Sequence, residues 1–214
     1  MRAADVPSAG RHGSSRRRLV IAAALLLAAC SRKEVAGPEF EAFDFSFSDA
    51  AADTLPHDGT APGGALDVVS VSGSVDDINL QLVLTFAAPV AFWSAAQPNS
   101  IDGFLDLDLD ENATTGIPAA VNEYGGSASI GAEYYLSLRD VQPGRIALVS
   151  PTSEPVTYRL VSATVSGNTM HVIIPRTMLS DPDGAFRLAA VVGNPARPAT
   201  DFAPSEGYYA VRRP

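Results

Sequence analysis

From residue 42 onward the chain alternates between apolar and polar side chains in short runs, the pattern of strands that turn one face inward. Phe43, Phe45 and Phe47 enclose Asp44 and Ser46. Ile78, Leu80, Leu82, Leu84 and Phe86 enclose Asn79, Gln81 and Thr85, and this is the clearest strand in the sequence. Tyr134, Leu136 and Leu138 line one side of another run, whose opposite side is Glu133, Tyr135, Ser137 and Arg139. A return strand begins at Ile146 and Leu148. Residues 186–192 are apolar on both sides and predict a central strand covered on two faces. Shorter runs occupy 66–72, 156–165, 169–174 and 208–212.

The residues between the runs are turn formers. Gln142-Pro143-Gly144 places proline and glycine where a type II turn requires them. Ser166-Gly167-Asn168 offers two residues tolerant of positive φ and predicts a second hairpin. Asp181-Pro182-Asp183-Gly184 is a further turn, and residues 175–180 have room for one helical turn. Residues 49–64 and 193–207 are aperiodic and read as irregular connections, the second holding three prolines. About eight to ten strands, spaced roughly 8 to 12 residues apart with no helix of ordinary length, predict an all-β fold. The expected architecture is an antiparallel β-sandwich over residues 42–214, with a jelly-roll-like closure as its main variant.

One stretch changes character halfway. In residues 101–116, IDGFLDLDLDENATTG, Leu105, Leu107 and Leu109 alternate with Asp106, Asp108 and Asp110, which predicts a half-buried strand with an acidic outer face. Beyond Asp110 the side chains are oxygen-bearing. Counted from Asp108, positions 1, 3 and 5 are Asp108, Asp110 and Asn112, the opening spacing by which an EF-hand turns alternate oxygens inward. Ala113 and Ala119 then stand where that loop needs glycine and a bidentate glutamate, so this is not an EF-hand. Calcium at six to eight oxygens would need a closing carboxylate from another segment, and Glu133 and Glu123 are the nearest in sequence. Same-face residues of a strand lie about 6.6 Å apart, which places Asp106 outside such a site. A solvated acidic face with a polar turn is the alternative.

The first part of the chain changes what the rest is for. Arg16, Arg17 and Arg18 precede an apolar run of only eleven residues, 19–29, shorter than the ~20 a membrane-spanning helix needs, so residues 1–29 read as a signal peptide. Leu27-Ala28-Ala29-Cys30 resembles the lipobox of bacterial lipoproteins. That resemblance implies a covalent diacylglycerol and an N-acyl chain on Cys30, with residues 30–41 as lipidated cysteine and tether. Cys30 is the single cysteine, so no intramolecular disulfide competes for it. More than one acyl chain gives stable membrane attachment. Ser15-Arg16-Arg17-Arg18-Leu19-Val20 also resembles a twin-arginine export signal, the other reading being the basic end of a Sec leader. Ser31 follows the cysteine where aspartate would retain a Gram-negative lipoprotein in the inner membrane, and this resemblance favours the outer membrane.

The leader takes five of the 15 basic residues and one of the 24 acidic ones, leaving 10 against 23 and a net charge of −13. Such a surface repels phosphate backbones, which excludes nucleic acid as an expected partner and leaves cations, glycans or envelope proteins.

Asp108-Leu109-Asp110-Glu111-Asn112, Thr115-Gly116 and Gly131-Ala132-Glu133-Tyr134, with Val191-Val192-Gly193 and Thr200-Asp201-Phe202-Ala203-Pro204 near the end, resemble secreted bacterial modules related to carbohydrate-binding and DOMON-like domains. The resemblance implies a sandwich with ligand or metal binding, and puts Asp108, Asp110, Asn112 and Glu133 at the acidic and amide positions. Sugar recognition uses aromatic platforms, for which Trp93 and Tyr135 are the candidates with Tyr124, Tyr208 and Tyr209 as further ones, the other reading of Trp93 being a loop residue that plugs one end of the sandwich. DOMON-like haem ligation would use Met and His ligands, and Met170, His171 and Met178 lie close in sequence, yet Met170 and His171 point to opposite faces of one strand, so at most one serves a given site and the better reading makes Met170 core and His171 surface. Neither a G-x-S-x-G elbow nor an H-E-x-x-H zinc motif occurs. The sequence therefore points to a lipid-anchored, non-enzymatic binding or interaction module with one calcium ion. A carbohydrate-binding or carbohydrate-active surface protein and a structural envelope component are its rivals.

Overall fold

The computed structural model describes residues 40–56, 66–94, 97, 99–117, 130–151, 153, 155–180, 183–194 and 197–214. The leader, Cys30, most of the tether, His57, Glu123, Tyr124 and the Asp181-Pro182 pair lie outside the described residues. Residues Pro38–Pro214 make one compact unit. Twelve strands are described: β1 (Phe43–Ser48), β2 (Leu55–Pro56), β3 (Val68–Val75), β4 (Asn79–Phe86), β5 (Gly103–Asp108), β6 (Tyr134–Gln142), β7 (Gly144–Ser150), β8 (Thr157–Ser166), β9 (Thr169–Pro175), β10 (Phe186–Asn194), β11 (Arg197–Ala203) and β12 (Tyr209–Val211). A single 3-10 turn, Arg176–Met178, follows β9. No described helix is long and apolar enough to cross a membrane.

The fold is the expected all-β, antiparallel sandwich. Hydrogen bonds join the strands in the order β1-β3-β4-β9-β8-β7-β6-β5-β10-β11-β2, with β12 also on β10, and every ladder is antiparallel. One apolar core collects Phe43, Val71, Leu82 and Ile174 from one part of this path and Leu105, Leu136, Leu148 and Leu188 from another, so the sheet folds over on itself. Burial of these side chains is the main driving force, at about 25 cal/mol per Å² of apolar surface.

The alternation of β4 is realised fully, with Leu80, Leu82, Leu84 and Phe86 in the core, although Ile78, just before the strand, is exposed. Gly144 and Gly167 take positive φ at the two expected hairpins. Three readings change. Residues 49–64 are not wholly irregular, because Leu55 and Pro56 form β2 and pair with β11. Residues 193–207 are not an irregular excursion: β11 pairs with β10, and Pro198, which has no N–H to donate, falls where the register shifts around Gly193 and Asn194. β5 is not half-buried. It lies between β6 and β10, and Asp106 and Asp108 are 7% and 0% exposed, because the outer side is covered as well. Ala189, directly across from Asp106, packs there with Ile130 and Ala132.

Candidate functional site

Asp108 ends β5 and faces Arg187 across the ladder to β10. The Arg187 guanidinium donates from Nη1 to Asp108 Oδ2 at 3.3 Å while its plane lies 4.5 Å from the ring of Tyr208. After Asp108 the chain leaves the sheet in a loop folded around its own carboxylates. The N–H of Asn112 donates to Asp110 Oδ1 at 2.9 Å and to Asp108 Oδ1 at 3.2 Å. The Thr115 hydroxyl lies 2.9 and 2.8 Å from the two oxygens of Asp110. Glu111, with φ 53°, sends its carboxylate away to a two-pronged pairing with Arg212 at 3.1 Å on each prong.

The closing carboxylate comes from the segment leading into β6. The Glu133 N–H donates to the Leu107 carbonyl at 3.1 Å, and Glu133 Oε2 accepts from the Leu109 N–H at 2.8 Å. Two glycines let this segment reach the loop. Gly131 has φ +77°, and a Cβ there would stand 2.5 Å from the Asn112 carbonyl oxygen and 2.8 Å from that of Thr115. A Cβ at Gly116, φ +64°, would run into the Gly131 carbonyl.

Asp108, Asp110 and Glu133 thereby bring one carboxylate oxygen each to within 4.8 Å of the others, a grouping able to hold a metal ion. Oxygens inside that limit can share one calcium at ~2.4 Å each. Burial pushes the Asp108 carboxyl up to about 6, with the Glu133 charge adding to the rise and Arg187 opposing it. Glu133 is also raised, first by burial. Both shifts express the cost of gathering like charges where water is scarce. Asn112 is part of the loop, but its Oδ1 accepts from the N–H and hydroxyl of Thr114, at 3.1 and 2.7 Å. Asp106 stays out of the group, as strand spacing requires.

The candidate platforms Trp93 and Tyr135 sit apart from these carboxylates in their bonding. Trp93 is exposed with the Arg139 guanidinium 4.5 Å over its ring, and Tyr135 meets Phe104 edge to face at 5.4 Å. Met170 is fully in the core and His171 half-buried on the other face of β9.

A second group of carboxylates has no counterpart in the sequence reading. Asp49, Asp53 and Asp201 also place one oxygen each within 4.8 Å of one another. Burial raises Asp201 to about 7, and the charges of Asp53, Asp49 and Asp67 add to the rise. Asp49 and Asp201 are 152 positions apart in sequence, so no spacing motif announces them. No protein-family model, curated protein or solved structure matches the chain.

Proposed function

We propose that the chain is an exported lipoprotein, attached to the cell envelope through acyl chains on Cys30, whose β-sandwich is a non-enzymatic binding or interaction module with calcium as a structural ligand. The observation that carries the calcium part is the meeting of Glu133 with Asp108 and Asp110. The loop alone supplies two acids, and a hard divalent cation asks for more oxygens than that. Arg187 offsets one of the three charges; calcium would offset the remaining two. Asn112 then acts by holding the loop, through its N–H on both aspartates. Attachment is supported by the order of basic end, short apolar run and Leu27-Ala28-Ala29-Cys30.

Two measurements test this reading. Growth with a clickable fatty acid is expected to label the full chain in the envelope fraction, with the label lost in Cys30→Ser; an unlabelled wild-type chain overturns the anchor. Asp110 is exposed, so Asp110→Asn preserves packing and is expected to lose one bound calcium per chain in equilibrium dialysis. Unaltered calcium binding by that variant overturns the Asp108 loop as a site.

A further inference from the structure

We propose a second calcium site, formed by Asp49, Asp53 and Asp201 with Asp67 beside them, that closes the seam between the two ends of the sheet. Each of the four carboxylates has one oxygen anchored and the other left over. Asp49 Oδ1 accepts from the Tyr209 hydroxyl at 3.0 Å, and Asp53 Oδ2 from the Ser205 hydroxyl at 2.8 Å. Asp67 Oδ2 accepts from the Ala52 N–H at 2.7 Å, and Asp201 Oδ2 from the Val68 N–H at 2.6 Å. The remaining oxygens, Asp49 Oδ2, Asp53 Oδ1, Asp67 Oδ1 and Asp201 Oδ1, are buried and have no hydrogen-bond partner among the described residues. Asp201 and Asp67 are only 1% and 2% exposed, so water does not take the place of that partner from outside.

A buried carboxylate oxygen without a partner is costly, and here the three grouped aspartates each have one, with a fourth on neighbouring Asp67. The contrast with the Asp108 loop is direct. There, Thr115, Arg187 and backbone N–H groups engage the carboxylates, whereas here each carboxylate has a donor on one oxygen and the other is left over. One oxygen oriented by a hydrogen bond and the other turned inward is the arrangement that fixes carboxylates around a metal. All the donors are oxygen and all the groups anionic, which selects a hard divalent cation. Oxygens within 4.8 Å of one another can share one calcium at about 2.3–2.6 Å each.

The position gives the ion a task. The hydrogen-bonded path of strands begins at β1 and β3 and ends at β11 and β2, with no ladder between β3 and β11. Asp49 directly follows β1, Asp53 lies ahead of β2, Asp67 directly precedes β3, and Asp201 belongs to β11. A cation there clamps the first edge of the sheet to the last, in line with the hydrogen bonds from Val68 to Asp201 and from Tyr209 to Asp49 that already cross.

The test is calcium stoichiometry by native mass spectrometry and equilibrium dialysis on the full chain after removal of metal with EGTA, calcium being the only probe. Asp53→Asn and Asp201→Asn are each expected to bind one calcium fewer than wild type while keeping the calcium that Asp110→Asn loses. Ser205→Ala, which removes only an anchoring hydroxyl, is expected to weaken the same site by about 10- to 100-fold. Because Asp201 is buried and its variant is the one at risk of misfolding, half-buried Asp53 and exposed Ser205 decide the matter. Wild-type stoichiometry and affinity in Asp53→Asn and Ser205→Ala overturn the proposal, as does a wild-type chain that binds no calcium. A calcium lost only in Asp110→Asn overturns this site and leaves the Asp108 loop standing.

Discussion

Asp106 illustrates how far a single residue was legible. The alternation of Leu105, Leu107 and Leu109 correctly assigns the core side of β5, and strand spacing correctly keeps Asp106 out of the carboxylate group. Its burial was not legible, since that depends on Ile130 and Ala132, which come from a separate segment. Burial alone pushes its carboxyl from 3.8 up to about 7. The sign follows. Below pH ~4 the group is protonated in both folded and unfolded chains and costs nothing. Between pH ~4 and ~7 only the unfolded chain ionises, so folding stability falls as pH rises, and above ~7 the full cost is present. Each unit is worth about 1.4 kcal/mol, and for a unit of this size each kcal/mol moves the midpoint by about 2 to 4 °C. In EGTA, Asp106→Asn is therefore expected to raise the unfolding midpoint at pH 8 by at least about 3 °C while leaving it nearly unchanged at pH 4. Equal effects at the two pH values would show that burial of the charge is not the cause.

At the scale of elements, the strands with strict alternation and the hairpins with Gly144 or Gly167 were readable, because both signals are local. β11 was not, because proline argues against a strand unless the register shift that accommodates Pro198 is known. The loop after β5 was readable as a carboxylate turn with Glu133 as a candidate to close it, but the geometry of that closure was not. Its closing member, Glu133, lies 24 positions beyond the Leu109 N–H that it binds, and the approach depends on Gly131 and Gly116 being bare. Gly131→Ala tests that approach. Its positive φ and the backbone 2.5 to 2.8 Å from a new Cβ predict a loss of about 1 to 3 kcal/mol in chemical denaturation. Calcium binding should weaken at the Asp108 loop and not at Asp201. Undiminished binding at both would show that the loop does not need this close approach.

On the scale of the whole molecule, part of the acidic excess is gathered, among the described residues, into two groups at places that topology creates. One sits where a central strand leaves the sheet, and the other where the two ends of the sheet meet. The second was illegible in principle: the hydrogen bonds that frame it join residues 133, 152 and 160 positions apart. Removing calcium should therefore loosen the edge strands as well as the Asp108 loop. Thermal unfolding of the full chain at pH 7.5, in EGTA and in calcium at about 100 times its Kd, measures this directly. Binding at that excess stabilises each site by about 2.7 kcal/mol, so the midpoint is predicted to rise by about 5 to 10 °C for one site and further for two. A midpoint that does not move between EGTA and saturating calcium would contradict calcium as a structural ligand of this sandwich.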